Sequence, residues 1–144
     1  MTRLLKAWVN YDDPSHRRID RDQYVFVNDS LRPEHFPVRG KGQAEVIYKY
    51  LDYDHEPSAE EVLQDVERRG DVRLPDFAET RDYHKANPEE RKEAPVISLC
   101  GAIKTRDDKR RVAYVYAGER GLFLYWSWIN PRWDRRCRFL VVCK

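Results

Sequence analysis

The chain has 144 residues, of which 41% are hydrophobic and 36% charged, with a net charge of +2. This length and composition indicate a single domain, residues 1–144, and exclude a disordered chain. No run of about 18 apolar residues is present to span a membrane, and the N-terminus lacks the apolar stretch of a signal peptide. We therefore expect a cytoplasmic protein without membrane contact. Surface display through a partner, export by a signal-independent route and the oligomeric state stay open.

The first third of the chain predicts strands. Residues 4–11 ("LLKAWVNY") alternate weakly between apolar and polar residues, and residues 23–29 are rich in β-formers. Residues 44–53 ("AEVIYKYLDY") fit either a helix or a strand by pattern alone. Their β-branched and aromatic content favours a strand, with Val46 and Tyr48 on one face.

Two helices are predicted in the middle of the chain. Ser58 is placed to cap the first helix, with Glu61 completing a capping box and Gly70 placed to end the helix. The apolar residues of this helix fall on one stripe: Ala59, Val62, Leu63 and Val66. Asp76 and Glu79 form a weaker capping pair for a second, shorter helix.

From residue 95 onward the pattern predicts four strands. Their sequences are PVISLCGAIKT, RRVAYVYAG, GLFLYWSW and CRFLVVC. The turn sequences RDDK and GERG separate the first three, whereas INPRWDRR is a longer and irregular connection. Strands followed by two helices and further strands predict an α+β domain and exclude a doubly wound nucleotide-binding fold.

No enzyme or metal motif is found in the sequence. The four histidines lack zinc-ligand spacing, and the three cysteines form no CxxC pair and are expected to be free thiols. Asp52, Asp54 and His55 could bind a divalent cation or form an enzyme centre, but they lack the glycine and spacing of a calcium-binding loop. We therefore expect no enzymatic activity, no cofactor and no bound metal, with this group as a weaker alternative.

Basic residues are concentrated near the C-terminal end. Residues 105–144 carry a net charge of +6, against −4 for residues 1–104. The arginines in RDDKRR (106–111) and RWDRRCR (132–138) can pair with phosphates, and neighbouring tryptophans can stack on bases. Aspartates dilute both clusters, so a small nucleic-acid-binding α+β protein is the alternative hypothesis and not the leading one.

Residues 121–142 carry the most specific pattern in the chain. Three of the four tryptophans fall within eight residues, separated by polar and structure-breaking residues. The apolar and aromatic frame, with one arginine, consists of Leu124, Trp126, Trp128, Trp133, Arg138, Phe139 and Leu140. The residues between the frame positions are Tyr125, Ser127, Ile129, Asn130, Pro131, Arg132, Asp134, Arg135, Arg136 and Cys137.

This frame resembles the C-terminus of the variable proteins of diversity-generating retroelements. In that family, error-prone reverse transcription turns AAY asparagine codons into NNY codons, which can encode all ten residues between the frame positions but not tryptophan. The segments HFPVRGKGQAEVIYKYLDYD, SAEEVLQDVERRGDVRLPDFAE and NPEERKEAPVISLCG are similar to the scaffold of the same family. The resemblance covers residues 35–144, and residues 1–34 remain an extension or strands of uncertain role.

The resemblance implies a C-type-lectin-like fold, in which a small antiparallel sheet has two flanking helices and the terminal strand returns near the first. It also makes residues 44–53 a strand. The implied function is that of a hypervariable ligand-binding protein that needs no calcium and binds an unknown protein or other macromolecule through residues 125–137. The ten residues between the frame positions would be its exposed binding residues. The frame tryptophans Trp126, Trp128 and Trp133 would be mostly buried with their edges showing. Together with Arg138 and Phe139, they would pack against or hydrogen-bond the backbone of this segment.

Overall fold

The computed structural model describes residues 5–104 and 110–144. These residues form an α+β protein, which confirms the predicted class. The strands are β1 (Leu5–Asn10), β2 (Phe26–Val27), β3 (Gln43–Leu51), β4 (Val72–Arg73), β5 (Val96–Lys104), β6 (Arg110–Gly118), β7 (Gly121–Trp128) and β8 (Arg138–Cys143). The α-helices are α1 (Ala59–Arg69), α2 (Phe77–Ala86) and α3 (Glu90–Glu93). Short 3-10 helices lie at Pro14–Arg17, Arg21–Gln23 and Pro33–His35.

The eight strands form one mixed sheet, and the prediction of a small antiparallel sheet is wrong in both size and direction. Seven strands follow the order β1-β3-β8-β5-β6-β7-β2, and β4 pairs beside them with β8. The pairs β5–β8 and β2–β7 are parallel, and the other pairs are antiparallel. A parallel pair needs a long crossover connection, and the β6–β7 hairpin with the segment after it provides one between β5 and β8.

Residues before position 35 extend the sheet at both of its ends. The predicted strand at residues 4–11 is confirmed as β1, which pairs antiparallel with β3 through Ala7 and Val46. The strand expected at residues 23–29 is confirmed only as the two-residue β2, beside β7. The ambiguous segment at 44–53 is the strand β3, in which Val46 is buried and its neighbour Ile47 is exposed.

The helix α1 begins and ends where the sequence predicts. The Ser58 side chain accepts a 3.2 Å hydrogen bond from the Glu61 backbone N–H, and Gly70 ends the helix at φ +74°. Only this half of the predicted capping box forms, because the Glu61 carboxylate instead contacts His55 and Arg132. A left-handed backbone at the C-cap favours glycine, which has no Cβ to strain it.

The start of α2 is fixed by a buried charge network. The pair expected to be the weaker cap forms a complete capping box, with the Glu79 N–H 2.9 Å from Asp76 Oδ1 and the Asp76 N–H 2.8 Å from Glu79 Oε1. The Arg73 guanidinium and the Tyr11 hydroxyl also donate to the Glu79 carboxylate. Burial works to raise the pKa of Glu79, but these hydrogen bonds outweigh it and lower that pKa. The network ties β4 and the N-terminal segment to α2.

The last strand, β8, lies in the middle of the core. Phe139 packs in one buried cluster with Val62 of α1, and Leu140 packs in another with Tyr83 of α2. Both sheet faces at β8 are therefore covered, which explains why four successive residues, Phe139 to Val142, are all buried. Within residues 5–104 and 110–144, no helix has the length and apolar character needed to cross a membrane.

Candidate functional site

The segment that joins β7 to β8, residues 129–137, is called here the variable loop, after the sequence-based expectation that its side chains vary. It lies beside the start of α1, to which main-chain hydrogen bonds attach it. The Trp133 N–H donates to the Pro57 carbonyl at 2.8 Å, and Ser58 and Arg132 form an isolated antiparallel β-bridge. These bonds use backbone atoms, so they do not depend on which side chain occupies position 132.

The two ends of the variable loop are held in the same way. The Ile129 N–H donates to the Arg110 carbonyl at 3.3 Å, and the Ile129 carbonyl accepts from the Glu60 N–H at 3.2 Å. Near the other end, the Cys137 N–H donates to the Asp134 carbonyl at 3.0 Å within the loop, and the next residue's N–H, of Arg138, donates to the Pro95 carbonyl at 2.9 Å. The backbone path is thus fixed at its start, middle and end by main-chain contacts.

Most of the predicted binding residues lie at the surface. Six of the ten are exposed: Asn130, Pro131, Arg132, Asp134, Arg135 and Arg136. Tyr125 and Ser127 are half-buried in β7. The expectation of exposure is wrong for Ile129 and Cys137, which are 4% and 6% exposed. Both side chains enter the core cluster that contains Phe139, and they anchor the loop at its ends.

The predicted frame residues differ in burial. Phe139 is buried, and the half-buried Trp133 packs edge-on against it and against Tyr114, with ring centroids 6.0 and 4.6 Å apart. Trp126 is half-buried with its ring centroid 4.8 Å from that of His35. These contacts place Trp133 and Trp126 on opposite faces of the sheet. The two indoles support the loop and the end of β7 from both sides.

The other two frame residues have different surroundings. Trp128 was expected to be mostly buried with its edge showing. It is the most exposed of the three frame tryptophans, at 38%, and the Arg111 guanidinium lies 4.2 Å from its ring centroid. Arg138 is half-buried, and its guanidinium donates to the Glu90 carbonyl and lies 4.3 Å from the Tyr50 ring centroid. Arg138 therefore fixes the start of β8 against α3 and β3.

A group of aromatic side chains next to the variable loop is called here the aromatic patch. It consists of Phe26, Tyr114, Tyr116, Phe123 and Tyr125. Tyr125 contacts the other four rings, at centroid distances of 5.4 Å to Phe26, 5.5 Å to Tyr114, 6.4 Å to Tyr116 and 5.8 Å to Phe123. Phe26 is 46% exposed, and the other four members are half-buried. Of these five residues only Tyr125 was predicted to belong to the site, although the alternation of aromatic residues in β6 and β7 signals Tyr114, Tyr116 and Phe123.

The arginines of the variable loop are partly neutralised by nearby carboxylates. Arg132 donates 2.8 Å hydrogen bonds to Glu61 Oε1 and to the Glu56 carbonyl. Arg136 lies 3.6 Å from Asp134. In the other basic cluster, RDDKRR at 106–111, residues 106–109 lie outside the described residues. Arg110 of this cluster pairs with Glu60 at 3.6 Å. These ion pairs reduce the positive charge that the loop presents to solvent.

The acidic group considered as an enzyme centre lies beside the variable loop. His55 bridges two carboxylates, with Nδ1 3.0 Å from Asp54 and Nε2 2.9 Å from Glu61, and these hydrogen bonds raise its pKa. Asp52 lines the neighbouring cleft with Asp65. In the part of the chain that the structure describes, no three histidine, cysteine or acidic residues are grouped to hold a metal ion. The histidine is thus engaged in ion pairs at the surface.

The chain was compared with protein-family models, with curated proteins and with solved structures. None of these three comparisons gave a significant match. The features that bear on function are therefore the geometry of the variable loop and its surroundings and the sequence pattern of residues 121–142.

Proposed function

We propose that this protein is a hypervariable ligand-binding protein of the retroelement-diversified class, and that its binding surface is formed by the variable loop and the end of β7. The observation that carries the proposal is the way the loop is held. Main-chain hydrogen bonds fix its path at Ile129, Trp133 and Cys137, while six side chains between and beside them are exposed. A backbone held in this way tolerates different side chains, because exposed substitutions usually change stability by about 0.5 kcal/mol or less.

The proposed fold is C-type-lectin-like within residues 35–144. Three features support it: the terminal strand β8 returns beside β3, the first strand of this region; α1 and α2 flank the sheet; and β5, β6 and β7 form an antiparallel meander. Under this proposal β1, β2 and the short β4 are additions to the common scaffold, and they account for the larger sheet.

The proposed ligand is a protein or another macromolecule. The exposed arginines of the variable loop and the rings of the aromatic patch form one continuous side of the molecule through Tyr125 and Trp133, which both contact Tyr114. Aromatic and arginine side chains supply much of the affinity at protein interfaces. Tyr125 belongs to both the proposed variable positions and the aromatic patch, so changes at this position would alter the centre of the surface.

A pair of matched libraries tests this proposal. In one library the six exposed loop positions are randomised with NNY codons. In the control library six exposed positions outside the loop are randomised in the same way. We expect the loop library to keep at least as large a folded fraction as the control, and to yield binders to unrelated proteins that the control does not yield. A loop library that mostly fails to fold would contradict the proposal.

The DNA around the gene provides a second, independent test. A retroelement origin requires a reverse-transcriptase gene nearby and a template repeat that matches the 3′ end of this gene except at adenines. We expect these mismatches to fall in the codons of the residues between the frame positions and not in the tryptophan codons. A gene neighbourhood without such a repeat would contradict retroelement diversification, although it would leave ligand binding by the loop to the library test.

Nucleic-acid binding is the second candidate, and the aromatic patch favours it. Partly exposed rings can stack on unpaired bases while nearby guanidinium groups pair with phosphates. Binding of this kind weakens steeply as the salt concentration rises, because counterions are released. Mixed single-stranded oligonucleotides should then bind at low salt, and changing Arg132, Arg135 and Arg136 together to Ala should abolish binding. Absence of binding at low salt would exclude this candidate.

A further inference from the structure

A cavity of about 380 Å³ lies beside the C-terminal half of α2, away from the variable loop. Its walls come from residues 13–16, residues 23–24, α2, the segment 88–91 and the start of β7 at Gly121. The variable loop follows the other end of β7, so the two sites are at opposite ends of this strand. The volume falls within the usual range for small-molecule sites, about 300–1,000 Å³.

Polar groups that the protein itself does not satisfy line this cavity. His84 is 3% exposed, and neither of its ring nitrogens has a hydrogen-bond partner among the described residues. The Tyr24 hydroxyl and Arg91 Nε are also buried, and neither has a hydrogen-bond partner among the described residues. Buried polar groups are normally hydrogen-bonded, and each one left unpaired destabilises the fold. Three residues that line one cavity therefore carry polar groups that a bound ligand could satisfy.

The charges around the cavity favour an anion. Neither Lys85 nor Arg91 forms a salt bridge with any acidic residue that the structure describes. Arg81 is held in place by hydrogen bonds to the Ser15 carbonyl at 2.6 Å and to Gln23. Two carboxylates also line the cavity: Asp82 accepts from the Asn10 N–H at 3.0 Å and lies 3.2 Å from His16 Nε2, and Asp13 accepts from the Ser15 N–H at 2.9 Å. Arg81, Lys85 and Arg91 outnumber these two acidic residues. The cationic groups still able to bind are thus Lys85 and Arg91.

His84 acts in this cavity as a neutral group. Burial, with a contribution from the nearby Arg91 guanidinium, lowers the pKa of His84 to about 3. A neutral imidazole offers one N–H donor and one acceptor nitrogen. A hydrogen phosphate or a hydroxy acid can both accept and donate hydrogen bonds, so such a ligand can satisfy both ring nitrogens.

We propose that this cavity binds a small molecule that carries an oxyanion group, a phosphate or a carboxylate. Arg91 and Lys85 pair with the anionic oxygens, and Tyr24 and His84 form neutral hydrogen bonds to the same molecule. The site does not depend on the variable loop. It would be kept when the loop sequence changes, and its ligand would be the same for every version of the binding surface.

Thermal unfolding of the full chain with added anions tests the proposal. The probes are inorganic phosphate and malate, a hydroxy acid, each compared with sodium chloride at the same ionic strength. A ligand that binds only the folded state raises the melting temperature, by about 3–5 °C at ten times its dissociation constant. We expect such a rise with at least one probe, and the probe that gives it identifies the anionic group. Equal melting temperatures in all three salts would overturn the proposal.

Charge-matched variants locate the binding site. Arg91→Gln is expected to weaken binding at least tenfold, whereas Lys41→Gln, which removes one charge from an exposed residue outside the cavity, is expected to leave it unchanged. If Arg91→Gln does not fold, the exposed Lys85→Gln provides the same comparison. Equal weakening in the cavity variant and in Lys41→Gln would mean that the anion binds by net charge alone, and the proposed site would be wrong. The outcome of this anion-binding test does not depend on whether the loop library folds or yields binders.

Discussion

The Arg132 guanidinium donates a 2.8 Å hydrogen bond to the Glu61 carboxylate, and it thereby joins the middle of the variable loop to the first turn of α1. Both groups are partly exposed, and ion pairs of this kind contribute between about 0 and 1 kcal/mol. We therefore expect Arg132→Ala and Glu61→Ala to show a coupling energy below about 1 kcal/mol in a double-mutant cycle followed by urea unfolding. The control cycle pairs Glu61→Ala with Arg135→Ala and should show a coupling near zero. A coupling above about 2 kcal/mol would make Arg132 a structural residue and not a replaceable one.

The ten proposed variable positions should divide into two classes of stability effect. Serine substitutions at Asn130, Arg135 or Arg136 are expected to change the free energy of unfolding by about 0.5 kcal/mol or less, because these side chains are exposed. Ile129→Ala is expected to cost about 2–5 kcal/mol, because it leaves a cavity in the core. Urea unfolding measures both. Similar losses of unfolding free energy at Ile129 and Arg135 would contradict the assignment of Ile129 as buried and Arg135 as exposed.

Two tryptophans of the frame, Trp133 and Trp128, should differ in how much their substitution destabilises the protein. Trp133→Ala is expected to destabilise by about 3 kcal/mol, because the indole packs against Tyr114 and the buried Phe139. Trp128→Ala should cost less than Trp133→Ala, because Trp128 lies at the exposed end of β7, where the Arg111 guanidinium lies over its ring. Chemical unfolding of both variants gives the comparison. A larger loss for Trp128 than for Trp133 would reverse the roles assigned here.

The stability of the protein should fall in mild acid through His84. The unfolded chain takes up a proton on this residue below its ordinary pKa of 6.5, whereas the folded protein resists protonation until about pH 3. The folded state therefore loses roughly 3 kcal/mol relative to the unfolded state between pH 6.5 and pH 4. The variant His84→Leu lacks this loss, so its stability advantage over the parent should grow by that amount as the pH falls.

This measurement uses buffers without phosphate or carboxylates, so that anion binding does not contribute. Protonation of carboxylates such as Glu79 also lowers the free energy of unfolding in acid. This loss is the same in the parent and in His84→Leu. The difference between the two proteins isolates the histidine. Parallel stability curves from pH 7 to pH 4 would show that His84 is solvated or paired in solution.

The local elements of this fold could be predicted from the sequence, because their determinants lie close together in the chain. The cap at Ser58 and the glycine at position 70 define α1 within a few residues. Alternation of apolar residues likewise predicts β1 and β6. The four-residue α3 was missed, because one helical turn shows no periodicity.

Pairings between distant segments could not be predicted in the same way. No local pattern shows that β8 lies between β3 and β5, or that β2 lies beside β7. The exposed or buried state of the loop residues follows from that arrangement. Ile129 and Cys137 look like their variable neighbours in sequence, but they are buried because the loop ends turn toward α1 and β8. The cavity beside His84 also combines segments that are far apart in sequence.

The central place of β8 has a consequence for protein synthesis. Residues 138–143 leave the ribosome after the variable loop, and until then β3 and β5 have no strand between them. A change in the loop codons that shifts the reading frame removes β8, and the resulting chain exposes two strand edges and loses both clusters around Phe139 and Leu140. Such chains are expected to be degraded, as unfolded chains are in cells. Only chains that keep the reading frame through the loop can complete the sheet, whatever their loop sequence.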